Sequence, residues 1–178
     1  MPKPILSIDS DYSDDHTRGP ADAPLTIVQY GDYDCPHTRA STSIVHAVER
    51  ELSMPIRFVF RHFPLRHLHP NAQLLAEIAQ ASATLGHFWE VHERLMARRR
   101  NLSQRDVMDD LGASKLDVAA IQALLGSAAI VARVERDVDT GKASGVHSTP
   151  TWFFNGLFWD GHYDEATLME QAKRALQA

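Results

Sequence analysis

The chain has 178 residues, of which 44% are hydrophobic and 23% are charged, and its formal net charge is −5. These values favour one globular domain with a sizeable core and disfavour nucleic-acid binding, which needs a basic face. Arg98–Arg100 is the one basic run, and a solvated helix end explains it better than a polyanion site.

No apolar run reaches the roughly 18 residues of a membrane span. Residues 1–15 lack the charged start and apolar middle of a secretory signal. We therefore expect a cytoplasmic monomer with no membrane partner, and export stays open in case a leader was removed. Cys35 is the single cysteine, so an internal disulfide is excluded.

Residues 1–22 form a polar N-terminal segment with aspartates at positions 9, 11, 14 and 15. These aspartates lack the spacing of a full calcium-binding loop. We predict a loosely packed arm, followed by a turn at Gly19–Pro24 where glycine and proline cluster.

The stretch Gly31–Thr38, with the sequence GDYDCPHT, organises the rest of the chain. The apolar run Leu25–Tyr30 before it predicts a buried strand, and helical apolar spacing in Arg39–Leu52 after it predicts a helix. Cys35 therefore lies where a strand turns into a helix. The unpaired N–H groups and the dipole of a helix start stabilise an anion, so a thiol there ionises more readily.

The β-branched and aromatic run Ile56–Arg61 predicts a second strand. The long helical connection predicts that it pairs in parallel with the first strand. His62, His67 and His69 follow, but they have no accompanying cysteine and no standard zinc spacing. We predict that this segment holds no metal.

Residues 71–142 carry only helical patterns and predict an all-helical insertion. Three of its helices are expected at Gln104–Leu111, Lys115–Leu124 and Ser127–Asp139. A glycine-rich loop to Pro150 is then followed by a strand, a two-residue turn at Asn155–Gly156, a second strand and a closing helix. These last elements are expected at Thr151–Phe154, Leu157–Trp159 and Asp164–Leu176.

The order βαβ, helical insertion, ββα resembles the thioredoxin fold, and specifically DsbA-type proteins with a helical insertion. The supporting motifs are Tyr30–His37, Arg61–Leu65, His69-Pro70 and Gly145–Thr151. The resemblance implies an α/β fold in which residues 23–70 and 143–178 form the two thioredoxin halves, residues 71–142 the insertion and residues 1–22 an arm.

The same resemblance implies roles for six residues. Cys35 would be the exposed nucleophile, and Pro36 and His37 would lie between the two cysteines of the family motif. Pro150 would be the cis-proline, with the backbone of Thr149 turned toward Cys35 so that an extended substrate pairs with it. Thr38 replaces the resolving cysteine, so internal thiol exchange is lost. Its hydroxyl could instead donate a hydrogen bond to the thiolate.

These features predict a monothiol thiol–disulfide oxidoreductase that acts on protein or small-molecule thiols and disulfides. Cys35 would form a mixed disulfide, with glutathione as a co-substrate rather than a bound cofactor, or a sulfenic acid that an external thiol reduces. Three alternatives remain: a glutathione-binding transferase or isomerase, a non-catalytic peptide-binding module, and an inert buried thiol. His147, close to Pro150, is a further candidate for a substrate contact.

Overall fold

The computed structural model describes residues 4–9, 14–52, 54–98, 103–159, 161–162 and 164–177. Within these ranges the elements follow in this order: β1 His16–Arg18, β2 Leu25–Gly31, α1 Pro36–Glu51, β3 Ile56–His62, α2 Ala72–Thr84, α3 Phe88–Ala97, α4 Gln104–Ala113, α5 Val118–Leu124, α6 Ala128–Ala143, β4 Thr151–Phe154, β5 Leu157–Trp159 and α7 Glu165–Ala175. The predicted order of elements is confirmed, and β1 is an addition to it.

The strands form one mixed sheet in the order β1-β3-β2-β4-β5. The parallel pairing of β2 with β3 agrees with the prediction from their helical connection, and β4 runs antiparallel to β2 and β5. Asn155 and Gly156 join β4 to β5 with φ angles of 47° and 80°, a backbone that asparagine and glycine tolerate. The thioredoxin-like fold with a helical insertion is therefore the fold of this chain.

Two apolar cores lie on opposite faces of this sheet. Alternate residues of a strand face opposite sides, so Ile27 packs into the larger core and Val28 into the smaller one. The larger core also takes residues of α1, α7 and most of the helical insertion. Helix α6 contributes Val138 to the smaller core. The insertion therefore packs against the sheet rather than forming a separate unit.

The loosely packed arm predicted for residues 1–22 is wrong for the part that the structure describes. Strand β1 pairs antiparallel with β3. The buried carboxylate of Asp15 accepts hydrogen bonds of 3.0 and 2.8 Å from Arg61 of β3, and Arg61 also donates to the hydroxyl of Tyr30 at 2.9 Å. A buried guanidinium needs a carboxylate partner, and the arm supplies it. Asp11 lies outside the described residues.

Helix α6 extends further than the sequence pattern predicted. It runs to Ala143, so Gly141 is helical instead of belonging to the loop before Pro150. A Cβ on Gly141 would lie 2.7 Å from a ring carbon of Phe63, so glycine lets the helix approach the end of β3. None of the described helices is by itself long and apolar enough to cross a membrane, and the bent pair α5–α6 meets only the length and composition criteria.

The buried pair of Asp15 and Arg61 gives the first prediction. Asp15→Ala should lower the free energy of unfolding by about 3 kcal/mol, because it leaves a buried guanidinium without its carboxylate. Urea denaturation followed by tryptophan fluorescence measures this loss. Asp109→Ala is the control, since Asp109 forms an exposed pair with Arg105 and should change stability by less than about 0.5 kcal/mol. Equally small losses in both variants would contradict a structural role for the arm.

Candidate active site

Cys35 is the N-cap residue of α1, and Pro36 occupies the first turn of that helix. The backbone N–H of Cys35 donates to the carbonyl oxygen of Asp32 at 3.0 Å. Its Sγ donates to the carbonyl oxygen of Thr149 at 3.3 Å, and the Thr149–Pro150 bond is cis. The fold thus brings the thiol, the start of a helix and the cis-proline loop together.

The thiol is more enclosed than the sequence indicated. Cys35 is 3% exposed, whereas Pro36 and His37 beside it are exposed. The resemblance to DsbA-type proteins had implied an exposed nucleophile. Asp32 and Asp34 are themselves buried, since their carboxylates accept backbone hydrogen bonds that draw the loop inward.

Thr38 lies inside the protein with no exposed surface. Its Oγ1 accepts a hydrogen bond of 3.3 Å from the backbone N–H of Asp32, and the bond from this hydroxyl to the thiolate stays a prediction. Gly31 makes room for the side chain, because a Cβ on that glycine would lie 2.9 Å from Cγ2 of Thr38. Thr38 thus packs inside the protein, and its hydrogen bond to Asp32 closes the loop that carries Cys35.

Asp32 joins the loop before Cys35 to the loop after β3. One carboxylate oxygen accepts from the N–H of Asp34 at 2.8 Å. The other accepts from the N–H of Leu65 at 3.0 Å and lies 2.7 Å from Nδ1 of His69. No role for Asp32 had been predicted from the sequence. A carboxylate with several hydrogen-bond donors fixes both loops in place.

The three histidines at the end of β3 and in the loop after it do not lie together. His69 pairs with Asp32, His62 is buried and close to His16, and His67 is exposed. Across the described parts of the chain, no group of three or more His, Cys, Asp or Glu side chains is placed to hold a metal ion. His147 is also exposed and lines a cavity of about 280 Å³ beside the cis-proline loop.

The helical insertion contacts the Cys35 loop through Tyr33. The hydroxyl of Tyr33 lies 3.0 Å from Nδ1 of His92 in α3, and burial lowers the pKa of His92 well below its usual value. The ring of His16 stacks on Phe88 of the same helix, with 3.5 Å between ring centroids. Burial, followed by the charge of Arg133, lowers the pKa of His16 to about 3. The imidazoles at this contact are therefore neutral near pH 7.

Fold and site together define a thioredoxin-like protein with one cysteine at the start of its first long helix, beside a cis-proline. The family model described as Thioredoxin (Thioredoxin_4) matches residues 11–176. The chain belongs to this family.

Solved structures with this fold include DsbA-type proteins. BdbD from Bacillus subtilis matches with a TM-score of 0.79 at 21% identity, covering 98% of this chain and 100% of that one. A thioredoxin-like oxidoreductase from Silicibacter pomeroyi gives 0.81 at 20% identity, covering 93% and 94%. The thiol-disulfide exchange protein α-DsbA2 from Wolbachia pipientis gives 0.76 at 18% identity, covering 89% and 85%. At these identities the likeness establishes the fold.

Curated relatives at higher identity are named Na⁺/H⁺ antiporters. NhaA 1 of Salinispora arenicola is 36% identical over 159 residues, which cover 89% of this chain and 24% of the relative. NhaA of Herminiimonas arsenicoxydans is 35% identical over 164 residues, covering 92% and 26%. The chain thus spans about a quarter of the length of these relatives.

The buried histidines give the second prediction. In the unfolded chain His16 takes up a proton below about pH 6.5, whereas in the folded protein it stays neutral down to about pH 3. Its contribution to stability is therefore complete above pH 6.5 and is lost as the pH falls toward 3. At pH 4.5 this loss is about 3 kcal/mol for His16 alone.

His16→Gln should therefore reduce the loss of unfolding free energy between pH 7.5 and 4.5 that urea titrations measure. His87→Gln is the matched control, because His87 is half exposed beside Glu90. An unchanged pH dependence in His16→Gln would show that this imidazole does not stay neutral in the folded protein.

Proposed function

We propose that this protein is a monothiol thiol–disulfide oxidoreductase of the DsbA-like group, with Cys35 as its nucleophile. The observation that carries the proposal is the Cys35 Sγ, 3.3 Å from the carbonyl oxygen of Thr149 and next to Pro150. Membership of the thioredoxin family supports it, as does a fold shared with proteins described as an oxidoreductase and a thiol-disulfide exchange protein.

The reaction begins with the Cys35 thiolate, which the N–H groups and dipole at the start of α1 stabilise. The thiolate attacks one sulfur of a disulfide such as glutathione disulfide. A new S–S bond forms on Cys35, the original S–S bond breaks, and one glutathione leaves as a thiolate. Position 38 holds threonine, so an external thiolate attacks the substrate sulfur of the adduct, forms a second disulfide and releases the Cys35 thiolate.

The substrate would bind beside the cis-proline. An extended peptide or glutathione would pair with the backbone at Thr149. In the free protein the carbonyl oxygen of Thr149 accepts a hydrogen bond from the Cys35 thiol. Replacing that contact would open the enclosed thiol to the incoming sulfur. His37 is exposed at the rim and would add positive charge when protonated.

The proposal does not include Na⁺/H⁺ antiport, because the chain aligns with only about a quarter of the length of the antiporter relatives.

Treatment with glutathione disulfide tests this function. Mass spectrometry of the native protein should show one glutathionyl adduct on Cys35, and excess glutathione should remove it. Cys35→Ser should form no adduct. No adduct on the native wild-type protein would overturn the proposal. Saturable glutathione binding that persists in Cys35→Ala would favour the transferase or isomerase. If neither an adduct nor glutathione binding is found, the peptide-binding module and the inert thiol are the alternatives that remain.

A second experiment tests the single-thiol feature. In Thr38→Cys the introduced thiol lies one helical turn from Cys35, within the Cα separation that a disulfide spans. After glutathione disulfide treatment this variant should carry an internal disulfide and lose most of its glutathione adduct. Thr38→Ser is the control and should keep the adduct. A stable adduct in Thr38→Cys would show that position 38 does not decide how the mixed disulfide is resolved.

A further inference from the structure

The cavity of about 280 Å³ that His147 lines has an apolar floor. It lies between the loop after β3, the end of α6 and the loop before Pro150. Its floor consists of buried residues of the smaller core: Phe63, Leu65, Val138 and Val146. Ligand sites in proteins typically combine such an apolar floor with a few polar groups at the edge.

The rim of this cavity carries charge of one sign. Its exposed members have cationic or protonatable side chains: Arg66, His67, Lys142 and His147. Among the described residues that line the cavity there is no Asp or Glu, although the whole chain has a net charge of −5. A cleft with charges of one sign and walls of low dielectric focuses its field on an approaching ion.

Other cavities in the described part of the chain differ in this respect. Each of four others has an aspartate or a glutamate in its wall. The one beside Arg98 includes three aspartates. The guanidinium nitrogens of Arg98 are buried there, so the solvated helix end predicted for this residue is wrong, and Arg99 and Arg100 lie outside the described residues. The cavity at Lys142 is therefore the better candidate for an anion site.

The two permanent cations of the rim are engaged to different degrees. Arg66 pairs with Glu135 and donates from Nε to Gln73 at 2.7 Å. The ammonium of Lys142 lies 3.7 Å from Asp139, and these side chains are 63% and 73% exposed. Because an exposed pair of this kind contributes little energy, the three donors of the Lys142 ammonium are available to a ligand.

The loops that hold Cys35 also form two walls of this cavity. Leu65 donates its N–H to the carboxylate of Asp32 at 3.0 Å. His147 lies two residues before Thr149, whose carbonyl oxygen accepts from the Cys35 thiol at 3.3 Å. Two residues of extended chain span at most about 7 Å, a distance that a molecule as small as a tripeptide also spans.

We propose that this cavity binds a carboxylate of a small anionic thiol substrate, of the chemical class of glutathione, while the sulfur of that substrate reacts at Cys35. The inference rests on the proposed function and adds to it the substrate class and Lys142 as a specificity-determining residue. Glutathione carries more carboxylates than amines, and a lysine ammonium forms charge-assisted hydrogen bonds with a carboxylate. A cavity of this volume is at the small end of ligand sites, so it suits one terminal group better than a peptide segment.

Two disulfides of different charge test this selectivity. Mass spectrometry gives the rate constants for adduct formation on Cys35 with glutathione disulfide and with the neutral disulfide of 2-mercaptoethanol. Lys142→Glu should lower the ratio of these rate constants about tenfold, because attraction to the carboxylate becomes repulsion. Lys142→Arg keeps the charge and should retain the wild-type ratio, which separates a charge effect from a packing effect.

Lys173→Glu is the matched control. It makes the same change in net charge on α7, whose buried residues pack into the larger core on the opposite face of the sheet from this cavity. This variant should keep the wild-type ratio. The wild-type ratio should also fall as salt is raised to about 0.5 M, since salt screens exposed charges. Equal ratios in Lys142→Glu and Lys173→Glu would overturn the proposal.

Alkylation of Cys35 tests the anion site without any disulfide. Iodoacetate carries a carboxylate, and iodoacetamide is its neutral counterpart. The ratio of their rate constants should fall about threefold in Lys142→Glu and should stay at the wild-type value in Lys173→Glu.

The anion site and the proposed function fail in distinguishable ways. A lower alkylation ratio in Lys142→Glu, without any glutathione adduct on wild type, would remove the proposed function and leave the anion site standing. Adducts with both disulfides at unchanged ratios would remove the anion site and leave the function standing. A thiol that reacts with none of the four reagents would overturn both.

Discussion

The antiparallel pairing of β2 with β4 is the constraint on which the site depends. Its register places Tyr30 opposite Thr151, so the end of one strand lies beside the start of the other. The chain leaves β2 into the Cys35 loop and enters β4 from the cis-proline loop, and the two loops therefore meet. A slip of one residue would turn every side chain of a strand to the other face. The apolar residues that alternate between the two cores fix the register against such a slip.

Buried polar groups hold the loops around this sheet. Asp32 binds the loop after β3, Asp15 binds Arg61 of β3, and Tyr33 contacts His92 of the insertion. Each bond joins segments that are distant in the sequence. Buried polar networks of this kind add little net stability, but they are costly to leave incomplete, and so they select one arrangement of the loops. The Cys35 thiol consequently lies in a mostly enclosed site.

The chemistry available at this site follows from one sulfur and one threonine. The sulfur of Cys35 lies at the start of α1, and the buried residues Asp32 and Asp34 precede it in the chain. The carboxylate of Asp32 lies 2.7 Å from Nδ1 of His69, an ionisable group of another segment. Thr38 packs beneath the loop, and in the proposed function the second step of an exchange requires an outside thiol.

The sequence by itself determined the features that depend on neighbouring residues. The buried strand β2, the helix start after Cys35, the Asn155–Gly156 turn and the start of the closing helix near Asp164 were all predicted and are present, because neighbouring residues specify them. Tertiary structure decided the pairing of β1 with β3, the burial of Cys35 and the contact of Asp32 with His69. Each of these depends on a partner more than ten residues away or on how tightly a loop packs. Residues that are neighbours in the sequence specify neither of these.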